Sequence, residues 1–355
     1  MNILILANEL RYTCGVTNHL LQLTRGLSAA KDVKLWLICG GGNGIDRFKD
    51  IDVEIIIDKR FFHGERNISS YTSAIIILTK FIYRNKIDVV HSHSHYTANI
   101  ARQASHLTGA CTVQTNHGLL EKHGLLKHFN AKYYIAINDH INDFIIQNKI
   151  AAKSNISFIR CGIPVPDKIP VKDVSRLKVI AASRFTYDKG LDIFIKSINK
   201  IDPDIRSKAD FIIAGEGELK KELMSLNKET GANISFPGSV KNMYKLLSRT
   251  HILVYPSRSK SEGFPAIITE AGANGLLVLS SDIDCVNDVI KNNIDGVIFK
   301  QNDSIDLAKK LSAVIKNYDK FKPMTEKFYN KVKDWYSVDK MITKHMELYR
   351  KCLKV

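Results

Sequence analysis

The stretch HILVYPSRSKSEGFPAIITE, residues 251–270, reads as an apolar strand, a polar loop and the opening of a helix. Its first residues are apolar in succession, the pattern of a strand covered on both faces rather than one with a solvated side. Ser257, Ser259 and Ser261 fill the loop, and the apolar helix that follows ends near Ala273. A helix opening straight after a strand aims unpaired backbone N–H groups and the positive end of its dipole at the loop, which suits a diphosphate. Glu262, at the helix mouth, cannot favour a phosphate. It suits hydrogen bonds from sugar hydroxyls, its alternative role being a first-turn acid that caps the helix. Glu270, about two turns further on, suits another diol such as a nucleotide ribose.

Working outward, the same alternation runs through both halves of the chain. In the first half the strands are expected at 3–7, 34–39, 53–57, 88–93, 111–115 and 133–137, and in the second at 177–183, 210–215, 233–238, 251–257, 276–281 and 296–299. Apolar strands separated by amphipathic segments predict parallel sheets with helices on both faces. Between the halves, Pro164, Pro166 and Pro170 fall close together and break any helix, so the boundary is expected there. In open α/β sheets ligands lie beyond the carboxyl ends of the strands, and the informative motifs fall there. One is Ser183-Arg184-Phe185-Thr186-Tyr187-Asp188-Lys189-Gly190, after a predicted strand. Arg184 offers a planar fork and Lys189 a point charge, both suited to phosphate oxygens, although a cationic pair on a loop is often only solvated surface.

Together these stretches resemble the retaining GT-B glycosyltransferases of family GT4. The resemblance spans the chain. It rests on Arg184 with Lys189-Gly190, on two glutamates separated by seven residues in EGFP…E followed by AGANG, on Gly215-Glu216-Gly217, on Phe236-Pro237-Gly238, and on Trp335-Tyr336-Ser337 leading into a last helix. It implies two Rossmann-like, doubly wound α/β domains facing a central cleft. An acceptor-binding domain would cover 1–165, a nucleotide-sugar-binding domain 166–337, and a final helix at 338–355 would return to the first domain. It also implies that Arg184 and Lys189 bind the donor diphosphate, Glu270 the ribose and Glu262 the transferred sugar. Backbone groups of Gly263, Phe264, Pro265 and Ala266 would face the sugar and phosphate. Retention of configuration without a metal or other cofactor follows from the same likeness.

The first half carries the resemblance less closely. Thr13-Cys14-Gly15-Val16 is similar to the family's Gly-Gly-Val turn beside the donor phosphates, with Cys14 in place of the first glycine. Gly15 is therefore carried over as donor-binding and Cys14 is not, since a cysteine held at positive φ would be strained. Thr115-Asn116-His117-Gly118 resembles the T-x-H element and implies that His117 stands near the reacting centre; its alternative is a structural histidine at a strand end. His91, His93 and His95 alternate, so on a strand they would share a face and could hold a metal. No acidic or cysteine partner accompanies them, and H-x-H after a strand is similar to the acceptor side of GT4, so His93 is the acceptor-binding candidate and no metal site is expected. Cys39-Gly-Gly-Gly-Asn-Gly44 matches neither common nucleotide loop and is expected to be a flexible connection.

The chain has 355 residues, 45% apolar and 25% charged, which suits two globular domains and excludes a long disordered tract. Fifty-two Lys and Arg against 36 Asp and Glu give a net charge of +16, a pull toward polyanions. The basic residues are spread over both halves with no RNA- or DNA-binding module, so nucleic acid is not expected. Two basic–aromatic stretches, Lys59-Arg60-Phe61-Phe62-His63 with Arg66, and 122–129 with Lys132, predict docking on anionic lipid. The six cysteines form no CxxC pair and suit reduced thiols. The first residues read as a strand rather than a leader, and no apolar run approaches the roughly 20 residues of a spanning helix. The expectation is a cytoplasmic enzyme, peripheral at the inner face of the cytoplasmic membrane, moving a sugar from a UDP-linked donor to a glycan or lipid-linked acceptor in envelope polysaccharide synthesis. The alternatives are an inactive GT-B partner subunit, or a GT-B sugar-phosphate epimerase or inverting transferase.

Overall fold

The computed structural model describes residues 1–12, 14–118, 131–259 and 264–353. Two compact units emerge, one of Met1–Ile163 with Tyr336–Val355, the other of Pro164–Trp335.

Unit 1 is built on a seven-stranded sheet of order β3-β2-β1-β4-β5-β6-β7. Its strands are β1 (Asn2–Ala7), β2 (Lys34–Cys39), β3 (Glu54–Ile57), β4 (Val89–Ser92), β5 (Cys111–Asn116), β6 (Tyr133–Ala136) and β7 (Ile156–Phe158), and every pairing is parallel. Helices α1 (Gly15–Ser28), α2 (Ile68–Asn85), α3 (His95–Thr108) and α4 (Asp139–Gln147) provide crossovers. Leu4, Leu6, Trp36, Val90 and Ile100 form the core on one face of the sheet. Buried β1 reads as an apolar run because water reaches neither face, while β4 and β5, equally buried, also carry His91, Gln114 and Asn116.

Unit 2 has a six-stranded parallel sheet of order β10-β9-β8-β11-β12-β13. The strands are β8 (Leu177–Ala182), β9 (Ala209–Ala214), β10 (Ile234–Gly238), β11 (Ile252–Tyr255), β12 (Leu277–Ser281) and β13 (Val297–Phe299). Its helices are α5 (Leu191–Asn199), α6 (Pro203–Arg206), α7 (Lys220–Thr230), α8 (Met243–Leu247), α9 (Ala266–Ala273), α10 (Asp284–Asn287), α11 (Ser304–Lys316) and α12 (Lys322–Tyr336). Val179, Phe194, Phe211, Ile213 and Phe299 lie at the centre of its core.

Unit 1 is completed by the last helix, α13 (Val338–Leu353). Gly26 of α1 makes room for it, since a Cβ there would stand 2.3 Å from Cγ1 of Ile342. The backbone on each side of the unit boundary is tied within unit 1: Ile163 N–H donates to the Tyr336 carbonyl at 2.8 Å and Val338 N–H to the Ile163 carbonyl at 3.1 Å. Among the described residues no helix is long and apolar enough to cross a membrane.

Both sheets reverse strand order beside their first strand, at β1/β4 and at β8/β11. The loops leaving the carboxyl ends of these strands are where ligands of such sheets bind. These loops, or the helices they open, carry Gly15, His93, Lys189 and Glu270.

Candidate active site

In unit 2 the loops after β8, β9 and β11 are joined by their backbones. Gly190, at φ +64°, would place a Cβ 2.0 Å from the Pro256 carbonyl oxygen, and Gly215, at φ +139°, one 1.9 Å from that of Ser183. Only glycine allows either approach. Phe185 N–H donates to the Glu216 carbonyl at 2.9 Å, and Arg258 N–H to the Asp188 carbonyl at 2.7 Å. The Ser257 hydroxyl reaches the same Asp188 carbonyl at 3.2 Å. Arg258 grips Asp192 with two hydrogen bonds of 2.8 and 2.9 Å, donates to the Tyr187 carbonyl at 2.9 Å, and lies over the Tyr187 ring. Such a fork fixes geometry as well as charge.

This framework holds Arg184 exposed and Lys189 buried, the latter 3.3 Å from Asp188. Burial opposes the charged form of Asp188, yet the Thr186 hydroxyl and the Lys189 and Arg184 cations hold its carboxyl below the usual range. Glu270 stands half-buried in the second turn of α9. Burial and its charge push the Tyr244 hydroxyl upward, and that hydroxyl has no hydrogen-bond partner among the described residues. Phe264 and Pro265 precede α9, and Ala266 opens it with its N–H donated to the Phe264 carbonyl at 3.0 Å. Glu262 and Gly263 lie outside the described residues. A surface depression of about 870 Å³ lined by Arg176, Ala209 and Ile234 sits at the amino ends of these strands, away from the loops just described.

In unit 1, Cys14 has φ −90° and ψ 134°, ordinary extended backbone, and caps α1. The expected strain at that position is absent because the turn does not need positive φ there. Gly15 is the first helical residue, with open space where a Cβ would be. The glycine run 39–44 is packed rather than loose: Leu10 N–H donates to the Gly41 carbonyl at 2.8 Å, and Gly44 N–H to the Leu10 carbonyl at 2.7 Å.

β4 ends at Ser92, so the alternation from His91 through His95 does not continue along one face; His95 opens α3. His91 is satisfied at both ring nitrogens, by the Tyr349 hydroxyl and the Thr115 hydroxyl, each at 2.7 Å. His93 follows β4, and its Nδ1 shares a hydrogen bond of 2.9 Å with Nε2 of His117, which follows β5. The structure adds two histidines that sequence reasoning missed, His19 of α1 and His345 of α13. Their rings stand 6.2 Å apart, with His19 5.4 Å from His93 and 4.9 Å from His117. Burial above all, then mutual repulsion, drives His19, His91 and His93 well below the ordinary imidazole range. Burial brings His117 and His345 down to about 4. All five rings are therefore neutral near pH 7.

The family model described as "Glycosyl transferases group 1" matches residues 166–335, and "Glycosyltransferase Family 4" matches 13–165. The chain belongs to glycosyltransferase family 4, with the GT-B fold. Among relatives of this family-4 chain is the phosphatidylinositol N-acetylglucosaminyltransferase gpi3 subunit of Schizosaccharomyces pombe. It is 26% identical over 297 residues, which is 78% of this chain but 63% of the relative. The UDP-Gal:α-D-GlcNAc-diphosphoundecaprenol α-1,3-galactosyltransferase of Escherichia coli is 25% identical, covering 80% of this chain and 81% of its own. The crystal structure of Anabaena HepE with UDP and glucose superposes with a TM-score of 0.80 at 16% identity, over 99% of this chain and all of that one.

Proposed function

We propose that the chain is a retaining glycosyltransferase that moves a sugar from a UDP-linked donor to a glycan or lipid-linked acceptor in bacterial cell-envelope polysaccharide synthesis. The observation that carries this reading is the joining of the loops after β8 and β11, which sets Lys189 and the Glu270-bearing helix at the ends of adjacent strands. The E. coli relative, whose name specifies UDP-Gal and a diphosphoundecaprenol acceptor, supports the substrate classes. So does the UDP held by the Anabaena structure.

In this reading Arg184 and Lys189 neutralise the departing diphosphate, doing electrostatically what a divalent ion does elsewhere, so no metal is required. Glu270 accepts hydrogen bonds from the ribose, Glu262 from the transferred sugar, and Gly15 and residues 263–266 line the donor. The acceptor oxygen bonds to the anomeric carbon on the face from which the phosphate oxygen leaves, and its proton passes to that oxygen. His117 orients the sugar, and His93 lies on the acceptor side. Thermal-shift titration with UDP, GDP, ADP and their sugar conjugates in chelator tests this. Ligand at 100 times Kd adds about 2.7 kcal/mol. A shift specific to UDP compounds and lost in Glu270→Ala is expected; no shift with any nucleotide refutes the donor site.

We also propose peripheral docking on an anionic, inner-leaflet surface. The structure redirects the first basic–aromatic stretch: Phe61 is wholly buried and Arg60 is held by Asp58 at 2.6 Å. The proposal therefore rests on net charge and on Lys122, Lys127 and Lys132, of which the first two lie outside the described residues. Sedimentation with phosphatidylserine vesicles should fall when all three are changed to Glu; unchanged sedimentation would sink the idea.

A further inference from the structure

The histidine cluster of unit 1 contains more nitrogen lone pairs than it has groups to meet them. His19, His93 and His117 each bring one ring nitrogen to within 4.8 Å of the others. They come from three separate parts of the chain, α1 and the residues following β4 and β5, so the convergence is made by the fold. Both nitrogens of His19 and Nε2 of His93 are buried without a hydrogen-bond partner among the described residues. A polar atom stranded in this way costs about 1–3 kcal/mol.

The surroundings narrow what could answer that deficit. His91 is occupied at both nitrogens. The Nδ1 of His345 lies 2.8 Å from the Met341 carbonyl, which fixes the proton there and leaves Nε2 as a further lone pair unpartnered among the described residues. The three residues include no carboxylate, so a hard ion such as Mg²⁺ or Ca²⁺, which takes oxygen ligands, does not fit. A borderline transition ion binds neutral imidazole well, at about 2.0–2.1 Å for zinc. His93 and His117 already face one another at 2.9 Å, and a His19 ring nitrogen lies within 4.8 Å of both.

We propose that His19, His93 and His117 form a binding site for a divalent transition ion of the zinc class, with a fourth position left for water. The site rests on the proposed function in one respect. Because it engages His117, zinc inhibits sugar transfer by withholding that ring, while the transfer itself needs no metal.

Cobalt is the probe. Titrated into the metal-free full chain, Co²⁺ should bind one ion per chain with the intense visible bands of tetrahedral coordination, and Zn²⁺ should displace it. His19→Gln should abolish these bands, while His140→Gln, at an exposed histidine, should leave them. In His19→Cys a thiolate-to-cobalt charge-transfer band should appear in the near ultraviolet, a signature that a merely structural His19 would not produce. Circular dichroism checks that each variant folds. Absence of a tetrahedral spectrum in the wild-type chain, or no charge-transfer band in folded His19→Cys, overturns the proposal. The UDP-induced shift reads the nucleotide contacts assigned to Lys189 and Glu270, to which none of the three histidines belongs, so cobalt binding without it would sink the transferase reading and keep the metal site; the converse would do the opposite.

Discussion

The two candidate sites solve opposite problems. In unit 2 the loops after β8 and β11 are satisfied: carbonyls, hydroxyls and the Arg258 fork meet one another, and the charges of Lys189 and Asp188 are paired. In unit 1 five neutral imidazoles crowd together, three of them with stranded nitrogens. The first site is preorganised by backbone contacts that only glycine permits. The second keeps a deficit that a ligand must fill. In the proposed reaction a highly charged leaving group calls for fixed cations and rigid loops, whereas the neutral rings of unit 1 keep lone pairs available.

The largest expected effect that would sharpen this contrast is a difference in acid sensitivity. A histidine whose folded pKa is depressed binds fewer protons folded than unfolded, so stability rises with pH across the interval. For His117 and His345 that interval runs from 6.5 down to about 4, worth roughly 3 kcal/mol per ring at its acid limit. The lowered carboxyls of unit 2, Asp188 and Asp192, contribute stability that is present above their ordinary value of 3.8 and lost only below it. Hydrogen exchange followed from pH 7 to 4 should therefore show unit 1, with the five depressed rings of its cluster, weakening more than unit 2, where only His251 is lowered among the described residues. Equal loss in both would break the comparison.

Next in size is the glycine clasp. Gly190→Val forces a side chain into left-handed backbone and onto the Pro256 carbonyl, and should destabilise unit 2 by about 3 kcal/mol. Urea unfolding measures this, and UDP binding should go with it. The smallest effect belongs to Arg258→Lys, which keeps the charge but not the double hydrogen bond to Asp192. A loss of about 1 kcal/mol is expected. No change would mean that the backbone contacts alone set the loops.

Most strands were legible because buried parallel strands are short runs rich in apolar and β-branched residues. The exception is β7 (Ile156–Phe158), three half-buried residues too short to show a pattern. The strand–loop–helix units after β8 and β11 were legible as well, because such a unit carries its own local signals. The histidine cluster was not. His91, His93 and His95 suggested an alternation that ends with the strand at Ser92. The real assembly draws on His19 and His345, more than 300 residues apart in the sequence. A signal did exist for His19: with Leu23 and Leu27 it falls at i, i+4, i+8 on the buried face of α1. A histidine on an apolar helix face, read beside histidines that end two strands, would have pointed to the cluster.

The return of α13 to unit 1 also sets a timetable. A chain leaves the ribosome from its amino end, so the sheet of unit 1 emerges first, yet the hydroxyl that meets His91 and the side chain that covers Gly26 are on Tyr349 and Ile342. Unit 2, one continuous piece, can finish as soon as it appears. The half made first is completed last, and a message cut short before codon 336 would yield a sound second unit beside an unfinished first.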